Sequence, residues 1–156
     1  MISISIPGTG TLNLEHLVLD YNGTLAVDGV LLPGVKATLQ SLSRQISVHV
    51  ITADTFGKAG EGLAGTDCQL TVLDPGRQDQ AKLDFVNRLG TDRTVAIGNG
   101  RNDALMLEAA VLGIAVILGE GASALSLDKA DVVCTNVVDA LELLLHPLRL
   151  TATLRC

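Results

Sequence analysis

The chain has no tryptophan, one tyrosine and two phenylalanines among 156 residues. Nucleic-acid binding draws on aromatic platforms for stacked bases and on a basic surface. A formal net charge of -6 removes the second as the composition removes the first, so no nucleic-acid partner is expected. Cysteine is scarce as well. Cys68, Cys134 and Cys156 are odd in number, widely spaced and without a Cys-x-x-Cys pair, which argues against a disulfide framework or a zinc site. His16, His49 and His146 show no metal-ligand spacing, and the first two fall in strand-like segments where packing explains them. The longest clearly apolar stretch, Ala109 to Leu118, is about half of the ~20 residues of a membrane-spanning helix. No basic segment leads into an apolar one at the N-terminus, so neither a signal peptide nor a membrane partner is expected, and the expected location is cytoplasmic.

What remains is a globular composition, 47% hydrophobic and 18% charged, long enough for one domain spanning residues 1–156 with a sizeable core. Ile2-Ser3-Ile4-Ser5-Ile6 alternates with period two before Pro7-Gly8-Thr9-Gly10, which predicts hairpin strands over residues 1–15 returning into a strand that ends at Asp20. Asp28-Gly29 marks a tight turn within a flap over Leu25 to Leu32. Further strands are predicted at Ser47–Thr52, Cys68–Leu73, Thr94–Ile97, Ile114–Leu118 and Asp131–Cys134. Helices are predicted from Pro33 to Ile46, Thr55 to Leu63, Gln78 to Leu89, Arg101 to Leu112, Ala122 to Lys129 and Val137 to Leu145. Such alternation predicts an α/β, doubly wound, Rossmann-like parallel sheet of five to six strands with helices on both faces. Residues 147–156 read as a C-terminal tail, frayed or used in contacts between subunits.

Four segments carry polar groups that such a sheet would bring together. Asp20 ends the apolar run His16-Leu17-Val18-Leu19, where open parallel sheets bind their ligands, and a carboxylate there can attack phosphorus. Alone, it reads as the start of an Asx turn before Gly23. Thr52 ends the second strand, where its hydroxyl and the Ala53 amide can donate to a phosphate oxygen; a helix cap is the plainer reading. Lys82, the only lysine between Lys58 and Lys129, lies on the helix leading to the fourth strand. It can neutralise charge beside Asp20 or sit as an ordinary surface lysine. Gly98-Asn99-Gly100-Arg101-Asn102-Asp103 sets two amides and a carboxylate around two glycines. Magnesium prefers oxygen ligands, and Asp20, the backbone carbonyl of Asn22, and Asn99 or Asp103 could supply them.

Taken in order, these segments resemble the haloacid dehalogenase-like (HAD) superfamily, and most closely the phosphorylation domain of P-type ATPases. Asp20-Tyr21-Asn22-Gly23-Thr24 is similar to Asp-Lys-Thr-Gly-Thr, and Thr52-Ala53-Asp54 to Thr-Gly-Asp. Lys82 with Val86 fits Lys-x-x-x-Val, and residues 98–103 are similar to Gly-Asp-Gly-x-Asn-Asp. Gly113-Ile114-Ala115 and Ala130-Asp131 continue the likeness. The resemblance implies an aspartyl phosphate on Asp20 and phosphate binding by Thr52, Ala53, Lys82 and Asn102. It also implies Mg2+ held at Asp20, Asn22, Asn99 and Asp103, and a phosphorylated small molecule or phosphoprotein as substrate.

Two positions depart from the pattern. Asn22 stands where HAD phosphatases usually carry a second catalytic Asp, and it cannot shuttle a proton at neutral pH. General acid–base help contributes about 10²–10⁴ in rate, so slow hydrolysis is expected, or a phosphoacceptor or binding module in place of an enzyme. Asn99 replaces a more usual Asp ligand and removes one negative charge. Only 27 residues separate Thr24 from Thr52, leaving no room for a cap or nucleotide-binding domain there. An open site of this kind is the basis for expecting a homo-oligomer.

Overall fold

The computed structural model describes residues 1–54 and 56–156. β1 (Ile2–Ile6) and β2 (Gly10–Leu14) pair antiparallel as the expected hairpin, with Ile2, Ile4, Ile6, Leu12 and Leu14 turned into the core. After Glu15 come β3 (His16–Leu19) and a small flap, β4 (Ala26–Val27) and β5 (Val30–Leu31). Asp28 and Gly29, both at positive φ, make the two-residue turn between the flap strands, as the Asp-Gly pair predicts. The chain continues through α1 (Val35–Ser43), β6 (Ser47–Thr52), α2 (Ala59–Gly62), β7 (Gln69–Val72), α3 (Gln78–Leu89) and β8 (Thr94–Gly98). It ends with α4 (Ala104–Ala109), β9 (Leu112–Val116), α5 (Ala124–Lys129), β10 (Val132–Cys134), α6 (Val137–Leu145) and α7 (Pro147–Leu154).

Six strands form one parallel sheet in the order β10-β9-β8-β3-β6-β7. Helices cover both faces, which is why Leu17, Val18 and Leu19 of central β3 are all fully buried instead of alternating with polar residues. Leu17, Leu19, Val48, Val50, Val95 and Ile97 face α1 and α6. Val18, Ile51, Ala96 and Ala115 face α3 and α4, where Val86, Met106 and Leu107 close the second layer. The chain runs outward from β3 through β6 to β7, then crosses back to β8 on the other side. This reversal opens the crevice at the carboxyl ends of β3 and β8 where doubly wound sheets bind ligands.

His16 and His49 pack as expected from their strand positions. Their ring nitrogens Nδ1 and Nε2 are 3.3 Å apart, Phe85 meets His49 edge-on, and burial lowers both imidazoles. Among the described residues no helix is long and apolar enough to cross a membrane.

Three expectations change. The helix from Arg101 is a 3₁₀ turn (Arg101–Asp103) followed by α4, and it stops at Ala109 instead of Leu112. Leu112 and Gly113 instead begin β9, because pairing with β8 outweighs the helical pattern of an apolar run that suits either state. The short α2 starts at Ala59, and the expected start of that helix at Thr55 lies outside the described residues. Residues 147–154 of the expected tail are helical: Leu150 is fully buried, Thr151 Oγ1 donates to the Ser5 carbonyl, and the Cys156 amide donates to the Pro7 carbonyl. Leu150 and Leu154, four residues apart, both pack on the core, but one such pair is too short a pattern to mark a helix in the sequence, and the packing of α7 on β1 and α6 shows what it covers.

This packing makes Leu150→Ala destabilising by about 2–5 kcal/mol, while Leu148→Ala, at a position 83% exposed, should shift stability by less than about 0.5 kcal/mol. Urea denaturation of the two variants measures both; equal values would mean that α7 is not docked.

Candidate active site

Asp20 follows the last residue of β3, Thr52 ends β6, and Asn99 follows the last residue of β8. The Asp20 amide still donates to the Ile97 carbonyl at 3.0 Å, so the sheet ladder itself holds the start of the loop in place. The turn after it closes on Tyr21, whose carbonyl accepts from the amides of Thr24, Leu25 and Ala26. This returns Thr24 to within 3.2 Å of Asp20 Oδ2. Two glycines allow the loops to meet. A Cβ on Gly23 would stand 2.3 Å from Asn99 Nδ2, and one on Gly98 would stand 2.5 Å from Asp103 Cγ.

Lys82 reaches this centre because α3 runs antiparallel to the strands. Its first turns lie at their carboxyl ends, and Gln78, Lys82 and Val86, each four residues apart, share one face. Val86 sits in the core, Lys82 is completely buried at the rim, and Gln78 lines the cleft. The Lys82 ammonium lies 2.6 Å from Asp20 Oδ1 and 2.6 Å from Asp103 Oδ1. Asp103 Oδ2 accepts from the amides of Asn99 at 3.0 Å and Gly100 at 2.8 Å, so both of its oxygens are engaged. Asp103 thus ties Lys82 to the loop after β8.

Burial disfavours charge on all three groups, and two carboxylates share one ammonium. Burial first, and the Asp103 charge second, push the Asp20 carboxyl from an ordinary 3.8 up to about 6, against the pull of Lys82 and Thr24. Burial alone would lower the Lys82 ammonium. The charges of Asp103 and Asp20 and its hydrogen bonds to both outweigh that and hold it above its ordinary value.

The remaining sequence-predicted residues converge here as well. Asp20, Asn22, Thr52, Ala53, Asn99 and Asn102 all line a cleft of about 230 Å³ at the strand ends. Thr52 Oγ1 accepts from the Asp54 amide at 2.9 Å, which leaves its hydroxyl proton free to donate into the cleft. Asp54, at a φ of 48°, caps the amides of Lys58 and Ala59 with its carboxylate and so braces that turn. Asn99 donates through Nδ2 to the Gly121 carbonyl, which fixes its amide with Oδ1 toward Thr24 at 3.2 Å. Asn102 donates to Gln78 Oε1 at 3.1 Å.

Thr24, Gln78 and Glu120 belong to the site without having been singled out for a role in it. Thr24 bridges Asp20 and Asn99, while Gln78 and Glu120 line the cleft. The four-residue step from Gln78 to Lys82 could have identified Gln78. Nothing local to Glu120 marks it, since its carboxylate is placed by accepting from the Asp28 amide of the flap. Among the described residues no three His, Cys, Asp or Glu side chains gather as a metal cluster. The oxygens around the cleft come from the carboxylates of Asp20 and Glu120, with Asp103 behind them, together with several amides and the Thr52 hydroxyl.

The raised Asp20 carboxyl means that the folded protein keeps a proton that the unfolded chain has released between about pH 4 and pH 6. Stability from this group is present below that window and lost as pH rises through it. Asp20→Asn should therefore unfold at higher urea than the parent at pH 7.5, by about 1–3 kcal/mol, with the difference vanishing near pH 4. Lys82→Met, which leaves both carboxylates without a counter-ion, should cost about 3–5 kcal/mol at pH 7.5. Urea titrations at the two pH values check both signs.

No protein-family model matches the chain. Uncharacterized protein MJ0073 of Methanocaldococcus jannaschii is 43% identical over 84 residues, which are 51% of this chain and 90% of that protein. Among solved structures, 3-deoxy-D-manno-octulosonate 8-phosphate phosphatase from Moraxella catarrhalis, in complex with magnesium ion, phosphate ion and KDO, is 19% identical. Its TM-score is 0.65 over 86% of this chain and 87% of that one. A phosphoserine phosphatase in apo form is 18% identical, with a TM-score of 0.62 over 84% of this chain and 98% of that one. Both are phosphatases of the HAD superfamily, and at these identities the likeness carries the fold. The chain belongs to the family of the Methanocaldococcus jannaschii protein MJ0073, on the fold of the HAD phosphatases.

Proposed function

We propose that this chain is a cytoplasmic, magnesium-dependent phosphohydrolase that forms an aspartyl phosphate on Asp20. The observation that carries the reading is the Asp20–Lys82–Asp103 triad, with contacts of 2.6 Å, behind a cleft lined by Thr52, Asn99 and Asn102. The oxygens present suit a hard divalent cation. Asn22 Oδ1 is buried without a hydrogen-bond partner, and the one hydroxyl proton of Thr24 faces two acceptors, Asp20 Oδ2 and Asn99 Oδ1. Asp20, Asn22 through its backbone carbonyl, and Asn99 would hold the ion, with Asp103 behind them. Bound there, magnesium would offset charge on the phosphoryl group.

The chain's own residues then account for the chemistry. An Asp20 carboxylate oxygen attacks phosphorus, and the bond from phosphorus to the leaving oxygen breaks as the new one forms. Thr52 donates its free hydroxyl proton to a phosphoryl oxygen, and Lys82 and Asn102 add positive charge and a donor nearby. Asn22 cannot give the leaving group a proton, so that proton comes from solvent. In the second half, water attacks phosphorus, the bond to Asp20 breaks, its proton passes to solvent, and phosphate leaves with the carboxylate restored. Both halves are slow for want of an acid–base residue, which favours phosphorylated small molecules with good leaving groups, or phosphoproteins able to reach an open cleft. The motifs read nearest to P-type ATPase phosphorylation domains, and we extend the proposal to a long-lived phosphoenzyme and to closure of the cleft by a second copy of the chain.

Asn22 and Asn99 together favour a second reading, a phosphoacceptor module that keeps its phosphate. Acetyl phosphate and intact-mass measurement separate the two: an adduct lasting hours indicates the module, and rapid discharge indicates the enzyme.

For the enzyme, para-nitrophenyl phosphate should be hydrolysed only with magnesium and not at all by Asp20→Asn. Asn22→Asp should raise kcat by about 10² or more by restoring a proton shuttle. Unchanged turnover in Asp20→Asn would remove the nucleophile from the mechanism.

A further inference from the structure

A second and larger cavity, of about 560 Å³, abuts the phosphoryl cleft. Gln78 and Asn102 line both, and the hydrogen bond between them forms part of the ridge where the two spaces meet. The larger cavity has an apolar wall of Ala104, Leu105 and Leu125 and a rim carrying Arg77, Asp79 and Arg101. The two arginines are not equivalent. Arg77 is engaged with Asp79 through both Nε and Nη2, at 3.3 and 3.2 Å. Arg101 makes no ion pair or side-chain hydrogen bond among the described residues. Its guanidinium is a free cation at the edge of a half-apolar hollow, in a chain whose net charge is -6.

We propose that this cavity receives the leaving group of the substrate, and that Arg101 binds a second oxyanion on it. The substrate class is then a phosphate ester or acyl phosphate bearing a carboxylate or second phosphate beyond a short apolar spacer. The inference rests on the phosphohydrolase reading and adds a substrate class to it. Three observations support it. The two hollows are contiguous at Gln78 and Asn102, so a ligand phosphorylated in one extends naturally into the other. The wall of Ala104, Leu105 and Leu125 suits a methylene chain, while the planar fork of an unengaged arginine suits carboxylate or phosphate. Arg101 is also next in sequence to Asn102, on the 3₁₀ turn that positions the phosphate-side loop, so binding at the two ends of one ligand would act on the same rigid segment.

Non-hydrolysable ligands test this independently of turnover. Calorimetric titration with magnesium present would compare carboxyalkylphosphonates and alkyl diphosphonates of increasing chain length with plain alkylphosphonates. At one chain length or more, the doubly anionic ligand should bind about tenfold to hundredfold tighter than its plain counterpart. The carboxylate and phosphonate arms show which oxyanion is preferred. Arg101→Ala should reduce that ratio to within about twofold. Arg101→Lys should restore part of it, and Arg88→Ala, which removes the same charge far from the cleft, should leave it intact. If no chain length favours the second anion while Asp20-dependent turnover of para-nitrophenyl phosphate is present, the substrate class is overturned and the phosphohydrolase stands. A ratio lost equally in Arg88→Ala also overturns it, by reducing it to overall charge. Absence of both phosphonate binding and aryl phosphate turnover overturns the phosphohydrolase reading, and the substrate class with it.

Discussion

The Lys82 ammonium stands between two buried carboxylates, and the carboxyl end of the sheet is arranged around it. Burying charge is costly unless it is paired and hydrogen-bonded, and here one cation must serve two anions. Asp103 meets the cost more fully, because Lys82 takes one oxygen and two backbone amides take the other. Asp20 is less well compensated, with Lys82 on one oxygen and a shared Thr24 hydroxyl on the other. The arrangement therefore leaves unbalanced negative charge on the carboxylate that opens to the cleft.

The fold serves this triad through placement more than through bulk. The crossover from β7 back to β8 puts α3 across the face that ends at Asp20, and the antiparallel run of the helix brings Lys82 to the correct end. Val86 anchors the helix in the second core layer, so the register of Lys82 is set by packing one turn away. Close approach of the two loops then depends on positions 23 and 98 having no side chain. The two asparagines fit within the same electrostatics. Asp at positions 22 and 99 would add two negative charges to a cleft that already carries Asp20 and Glu120, whereas with Asn it keeps its oxygens at a lower charge.

Much of this could be read in advance, and the reasons differ by element. β3 and β8 are apolar runs closed by Asp or Gly-Asn-Gly, and α3 spans Gln78–Leu89 as read from the sequence, with Gly90 ending it. Asp20, Thr52, Lys82 and Asp103 could be ordered along the chain, and the parallel topology then required their loops to share one edge. At Leu112 and Gly113 the apolar pattern suits helix or strand equally, and only pairing with β8 decides. α7 was hidden for a similar reason, since its buried Leu150 matters only once the hairpin is there to receive it.

Local information, namely alternation of apolar residues, turn chemistry and the residue that closes each strand, was enough to establish a doubly wound sheet and to nominate the groups at its carboxyl edge. These signals act over a few residues and survive in one dimension. Which groups touch depended on the folded chain, because contacts of 2.6 Å between residues 62 and 21 positions apart follow from crossover order and helix direction. The same holds for Thr24 between Asp20 and Asn99, for Glu120 held by the flap, and for the free Arg101 beside a second hollow. Burial and partnership determine the charge state and freedom of each side chain, and both are properties of the assembled interior.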